Sequence, residues 1–217
     1  DLHSFPTRRS SDLLSSMDTM TVRVAKLDDA PALLDIYAYY VKKTAISFEW
    51  EVPSLEEFTA CMERILSAYP WLVVERSGEL FGYAHASAFV GRAAYAWSAE
   101  TTIYLYGDAR GRGIGERLYR TLEDVLRAQG VLNLNACIGC TTTVEDEYLT
   151  NASQRFHERC GFRLVGTFYD SGYKFGRWYD MIWMEKILGG HTADALRVTP
   201  FPELSPEVNL TDRKSVV

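Results

Sequence analysis

The chain has 217 residues, of which 47% are hydrophobic and 24% are charged, a composition typical of a globular protein with one good core or two small ones. A formal net charge of −6 and a pI of about 5.3 leave no overall positive field for a phosphate backbone, which argues against nucleic acid as a partner. Every apolar stretch is interrupted well before the roughly 20 residues that a membrane span needs, so no membrane association is expected.

The four cysteines are too few for a disulfide scaffold in a chain of this length. We therefore expect free thiols in a reducing cytoplasm. Cys137 and Cys140 form a C-x-x-C pair, but a single pair without nearby His ligands is a weak zinc signal. Buried thiols that pack as small hydrophobic groups are the simpler interpretation, and no metal site is predicted.

The two ends of the chain differ from its aromatic-rich centre. Back-translation of the closing run 212–217 yields a reverse complement that encodes the Arg-Arg-Ser-Ser-Asp of positions 8–12, as one adapter oligonucleotide read in opposite orientations would. Residues 1–16 and 212–217 are thus expected to be non-native. The predicted organisation is a non-native or disordered leader over 1–19, one domain over 20–188, and a C-terminal tail over 189–217.

Hydrophobic periodicity predicts alternating strands and helices along the central domain. A strand at 21–25 precedes a helix to about Val41 that has Pro31 near its first turn. A second helix is predicted over 54–68, where Ser54 and Glu57 resemble a capping box. The remaining predictions are strands at 71–75 and 79–86 around Ser77-Gly78, a strand at 96–105, a helix at 113–129, a strand at 132–138, a short helix at 151–159, and two strands flanking Ser171-Gly172. Interleaved helices and hairpins indicate a mixed sheet in an α/β or α+β layer.

A glycine-rich turn between the strand at 96–105 and the following helix is the most informative motif. Glycines at 111, 113 and 115 let backbone N–H groups approach an anion, and the helix N-terminus adds partial positive charge. Arg110 and Arg112 strengthen the predicted phosphate site. The spacing matches neither a Walker A motif nor a well-placed dinucleotide fingerprint. A tight connection that binds nothing is the structural alternative.

Four ordered motifs resemble those of the GCN5-related N-acetyltransferase (GNAT) family. Arg110-x-x-Gly113-x-Gly115 is similar to the pyrophosphate loop of that family. Three more resemble signatures of its phosphinothricin and methionine sulfoximine N-acetyltransferase subfamily: the run Tyr69–Val73, the run Arg92–Tyr104 with its W-x-x-E-x-T pattern, and the run Gly172–Asp180. The resemblance covers about residues 21–186. It implies a mixed sheet of about six to seven strands, flanked by about four helices and splayed between two parallel strands.

The resemblance also implies acetyl-CoA as co-substrate and places it in that splay. The backbone of β-strand residues would contact pantetheine and the thioester carbonyl, and the glycine loop would hold pyrophosphate. The residues implied are Ile103, Tyr104, Leu105, Arg110, Gly111, Arg112, Gly113, Ile114, Gly115, Glu116 and Asn151.

Glu100 and His157 are the catalytic candidates that the resemblance implies. Glu100 would deprotonate or orient the amine, and His157, where relatives carry a Tyr, would protonate the departing thiolate. A surface carboxylate and a packed helix histidine are the structural alternatives. Substrate contacts are implied at Val90, Gly91, Arg92, Glu100, Thr101 and Thr102, with Arg92 suited to a bidentate contact with a carboxylate.

The sequence thus favours an acetyl-CoA-dependent N-acetyltransferase that acts on a small amino acid or amino-acid analogue. Acetylation of a polyamine or protein amine, and a CoA-binding sensor without catalysis, remain as alternatives. A homodimer is implied by the subfamily. The loop over 139–150 departs from its pattern by being longer and more acidic, so that a different small amino acid or a cationic amine stays open as the substrate.

Overall fold

The structure is a computed structural model that describes residues 20–204 of the chain. Seven strands form one sheet in the order β1-β2-β3-β4-β5-β7-β6. The strands are β1 (Thr21–Val24), β2 (Trp71–Arg76), β3 (Glu79–Ala88), β4 (Ser98–Leu105), β5 (Asn133–Cys140), β6 (Arg163–Lys174) and β7 (Arg177–Ile187). The helices are α1 (Ala30–Lys43), α2 (Leu55–Leu66), α3 (Ile114–Gln129) and α4 (Ala152–Arg159). The predicted fold class is confirmed. The adapter-like ends lie outside the described residues.

The sheet is covered by helices on both faces, so its central strands carry apolar residues at consecutive positions. In β2, Trp71 and Val73 join a cluster with α1 and α2, whereas Leu72 and Val74 join the cluster beneath α3. The predicted capping box of α2 is present, since Ser54 and Glu57 bond each other's backbone N–H groups. The two apolar clusters fix the sheet between two helical layers.

Within residues 20–204, β4 and β5 form the one parallel pair of strands, and this pair separates early. Their register runs only from Ser98–Asn133 to Glu100–Asn135, although both strands continue for five more residues. Beyond Glu100, β4 still pairs with β3, and β5 with β7. The inner edges of both strands therefore open into a splay, as the family resemblance implied.

The predicted turn at Ser171-Gly172 was wrong, because both residues lie inside β6. The hairpin turns instead at Phe175-Gly176, which have positive φ angles of 52° and 74°. Gly172 sits at an irregularity in the β6–β7 register. A Cβ atom built on it would lie 2.3 Å from Cε2 of Phe48. This glycine serves the close approach of an aromatic ring, not a turn.

The segment after β7 packs back onto the domain. Trp97 Nε1 donates to Leu196 O at 2.7 Å, and the amide of Gln129 donates to the carbonyls of Ala68 and Thr199. The part of the predicted tail that the structure describes, up to residue 204, is thus docked against the segments just before β4 and just after α2 and against the end of α3. None of the helices in residues 20–204 is long and apolar enough to cross a membrane.

Candidate active site

The splay between β4 and β5 holds two adjoining cavities. One, of about 410 Å³, extends from Glu100 and Cys137 towards the loop that joins α1 to α2. The other, of about 400 Å³, extends along the glycine loop to the N-terminus of α3. Both are lined by Ile46, Ile103 and Ser153. We call the first the acceptor cavity and the second the loop cavity.

The loop cavity is built by the glycine motif that the sequence singled out. Gly111 and Gly113 have φ angles of 72° and 73°, a left-handed conformation that side-chain-bearing residues rarely adopt. Gly113 is the N-cap of α3, and no side chain caps this helix. The first N–H groups of the 16-residue helix therefore lack intrahelical partners and carry the positive end of its dipole. This arrangement suits a phosphate group.

The basic and polar residues predicted around this loop are placed differently from one another. Arg110 lines the cavity, and its guanidinium donates to the Tyr40 hydroxyl at 2.7 Å. Arg112 is exposed and does not line it. Asn151 does not line it either, since its side-chain amide bonds the backbone N–H and carbonyl of Thr141. Its neighbours Thr150, Ala152 and Ser153 are the lining residues.

The backbone of β4 offers polar groups to the splay. Tyr106 N donates to Phe81 O on β3. Successive backbone N–H groups point in alternate directions along a strand. The N–H groups of Ile103 and Leu105 therefore point away from β3, towards β5. The Tyr40 hydroxyl donates a hydrogen bond to the Leu105 carbonyl. Tyr104 packs its side chain on the α1 face, among Tyr37, Tyr40 and Tyr83. Contact of these two N–H groups with a bound thioester stays a prediction.

Glu100 is the carboxylate at the start of the splay. It lines the acceptor cavity and is half-buried, and burial raises its pKa above the ordinary value. Its carboxylate has no hydrogen-bond partner among the described residues. Cys137 lines the same cavity and is exposed, so it is not the buried thiol that the sequence predicted. A carboxylate with a raised pKa and free oxygens can accept a proton from a bound amine.

His157 lines the same cavity as Glu100, so the structure brings the two catalytic candidates together. The imidazole is 3% exposed, and burial lowers its pKa to about 4. Its Nδ1 lies 2.8 Å from the Ser153 carbonyl, which can only accept, so Nδ1 carries the proton. Nε2 then accepts from the Tyr119 hydroxyl at 2.8 Å. The geometry corrects the expectation of an imidazolium acid: His157 is neutral near pH 7 and holds Tyr119.

The predicted substrate residues fall into two groups. Thr101 and Thr102 line the acceptor cavity, and the Thr101 hydroxyl lies 3.2 Å from that of Tyr119. Val90, Gly91 and Arg92 are exposed on the β3–β4 connection and do not line the cavity. That connection begins beside Glu100, since Ser87 pairs with Glu100 in the sheet. Arg92 therefore lies on the Glu100 side of the site, outside the cavity wall.

Sequence reasoning missed the loop between α1 and α2 as a wall of the acceptor cavity. Ser47, Phe48 and Glu49 line it. The buried Lys174 holds this loop by donating from Nζ to the Ser47 carbonyl at 2.6 Å. The Phe48 ring rests against Gly172 on β6 and Gly139 on β5. No local pattern marks such contacts, because they join segments more than 90 residues apart.

Comparisons with known proteins agree with this architecture. The sequence profile of the acetyltransferase (GNAT) domain matches residues 22–183. The chain is 38% identical over 171 residues to a phosphinothricin N-acetyltransferase of Alcaligenes faecalis, covering 77% of this chain and 82% of the relative. It is 31% identical over 175 residues to the L-methionine sulfoximine/L-methionine sulfone acetyltransferase of Salmonella typhimurium, covering 80% and 98%.

A solved structure extends the comparison to three dimensions. The phosphinothricin acetyltransferase of Sinorhizobium meliloti, in complex with acetyl-CoA, superimposes with a TM-score of 0.73 at 32% identity. The match covers 87% of this chain and 97% of that one. The chain therefore belongs to the GNAT family of N-acetyltransferases, in the group that contains the phosphinothricin and methionine sulfoximine acetyltransferases.

Proposed function

We propose that the protein transfers the acetyl group of acetyl-CoA to the amine of a small amino acid or amino-acid analogue of the phosphinothricin, methionine sulfoximine or methionine sulfone type. The observation that carries the proposal is the pair of cavities that meet in the splay. One ends on an anion-binding glycine loop, and the other contains an unpaired carboxylate. Direct transfer needs the thioester and the amine to meet where these cavities join.

The residues of the loop cavity fit a CoA thioester. Backbone N–H groups after Gly113, the dipole of α3 and the guanidinium of Arg110 favour the pyrophosphate. The N–H groups of Ile103 and Leu105 offer donors to pantetheine and to the carbonyl oxygen as it gains negative charge. A sensor without catalysis would need the glycine loop but would not need a half-buried carboxylate at the junction.

Glu100 is the proposed base. The amine nitrogen forms a bond to the carbonyl carbon while the carbon–sulfur bond breaks, and the amine proton passes to Glu100, directly or through water. The thiolate leaves with an electron pair and takes up a proton to become a free thiol. His157 enters as the residue that holds the Tyr119 hydroxyl, because its own N–H is bound to Ser153.

An acetyl-CoA turnover assay over a panel of amines tests the proposal. Release of free thiol is followed with phosphinothricin, methionine sulfoximine, methionine sulfone and polyamines. Saturable activity on the first three is expected. The Arg92→Ala variant should raise the KM for these amino acids, because the guanidinium of Arg92 can bind a carboxylate through two parallel hydrogen bonds. The KM for acetyl-CoA should stay unchanged, because Arg92 does not line the loop cavity. Preference for polyamines, or thiol release on none of the amines, would refute the proposed function.

A homodimer through the sheet edge is a further part of the proposal. β6 is an edge strand, and it exposes the large side chains of Phe168 and Tyr169. Trp178 on the neighbouring strand β7 is also exposed. Exposed apolar edges of this kind favour association. Light scattering on the purified protein should report twice the chain mass, and a monomer would contradict this part.

A further inference from the structure

The acceptor cavity has a second carboxylate, on a different element from Glu100. Glu49 lies on the loop between α1 and α2 and lines the cavity together with Tyr37, Ser47 and Phe48. Of the described residues that line the cavity, none is Arg or Lys. Any charged group that a substrate places at this end therefore meets a carboxylate and no cation on the wall.

A buried lysine behind this wall already has a hydrogen-bond partner. Lys174 is 4% exposed, does not line the cavity and donates to the Ser47 carbonyl at 2.6 Å. Burial lowers the pKa of Lys174, and the charge of Glu49 partly opposes this effect. Glu49 thus offsets the positive charge behind the wall, and removing it would leave that charge uncompensated.

The orientation of an amino-acid substrate follows from the proposed function, on which this step rests. Its amine lies at Glu100, and its carboxylate points towards Arg92 on the β3–β4 connection. Because Arg92 lies on the Glu100 side outside the cavity, the side chain must extend the other way, to the α1–α2 loop. We infer that Glu49 selects against substrates with an anionic side chain and directs the enzyme to uncharged ones.

The substrates in the relatives' names are of two types, which differ in the charge of the side chain. The side chain of phosphinothricin ends in an anionic phosphinate, whereas methionine sulfone ends in an uncharged group. Like charges within about 6 Å repel each other by a free energy that depends strongly on exposure. Since Glu49 is exposed, the effect is on the order of fivefold in specificity. Methionine sulfone is therefore the better substrate, although phosphinothricin acetyltransferases are among the relatives with higher identity.

The test compares kcat/KM for both substrates at saturating acetyl-CoA in the full-length protein. The wild type should favour methionine sulfone. Glu49→Gln should raise the ratio of phosphinothricin to methionine sulfone activity about fivefold, and Glu49→Lys should raise it further. Glu51→Gln is the matched control, because Glu51 is exposed on the same loop but does not line the cavity, and its ratio should equal that of the wild type.

The outcomes distinguish this inference from the proposed function. A wild type that favours phosphinothricin, or a Glu49→Gln ratio within twofold of the wild-type ratio, would overturn the inference and leave the acetyltransferase proposal standing. No turnover of either amino acid would overturn the proposed function, and the inference with it. Higher salt should reduce the wild-type preference, as expected of a charge effect near solvent.

Discussion

Replacing Gly172 by Ala should displace the Phe48 ring from the wall of the acceptor cavity. A Cβ atom at position 172 would lie 2.3 Å from Cε2, 2.6 Å from Cζ and 2.7 Å from Cδ2 of Phe48. Ordinary contact needs about 3.4 Å or more, so the ring must move by roughly 1 Å. Overpacking of this kind costs about 1–3 kcal/mol. Because Phe48 lines the acceptor cavity, the KM for the amine should rise, and the KM for acetyl-CoA should not.

Gly166→Ala is the matched control for this substitution. Gly166 lies on the same strand, and a Cβ built on it meets nothing within 4 Å. This variant should unfold in urea at or slightly above the wild-type midpoint, since alanine reduces the entropy of the unfolded chain. In a Phe48→Ala background, Gly172→Ala should lose most of its cost, which a double-mutant cycle measures. Equal stability of the Gly172→Ala and Gly166→Ala variants would refute the reasoning.

Three further predictions follow from the site. Burial raises the pKa of Glu100, so kcat/KM should fall as pH drops through that raised value; Glu100→Gln should abolish this limb of the pH–rate profile and lower the rate about a hundredfold or more. Burial lowers the pKa of His157 to about 4 in the folded protein, against about 6.5 in the unfolded chain, so the unfolded chain binds more protons between these pH values. The free energy of unfolding should therefore fall by up to about 3 kcal/mol as the pH drops from about 6.5 to about 4. Urea midpoints of His157→Phe should lack this loss, and parallel pH curves of the variant and the wild type would contradict the prediction. Gly113→Ala and Gly78→Ala should each cost about 1 kcal/mol or more, because φ is 73° and 78°, but only Gly113→Ala should raise the KM for acetyl-CoA, and equal KM values would exclude a role of this loop.

The glycine motif shows how much of the site could be predicted from local sequence. Arg110, Gly111 and Gly113 lie where the strand-to-helix pattern put them, because a turn with positive φ angles depends on the residues in it. Arg112 and Asn151 also carry hydrogen-bond donors that suit a phosphate, but neither lines the cavity. The direction of a side chain in a loop depends on partners such as the backbone of Thr141, which the local sequence does not specify.

The catalytic candidates show a second limit. Glu100 and His157 were expected from their motifs, and they share one cavity. The protonation of His157 was not predictable, because it depends on burial and on Tyr119, which lies on another helix. Burial disfavours the charged imidazole, so a residue that suits a general acid in sequence becomes a neutral acceptor in the fold.

Length, composition, charge and periodicity, together with four motifs, predicted a mixed sheet flanked by helices with a glycine-rich loop, and they pointed to its family. These properties depend on residues close together in the chain. The tertiary structure alone decided the walls of the acceptor cavity, where Glu49, Phe48 and Lys174 meet the sheet. It also decided that Gly172 receives a ring instead of forming a turn. Such contacts arise from packing between distant segments, and packing depends on the shapes that meet in the folded chain.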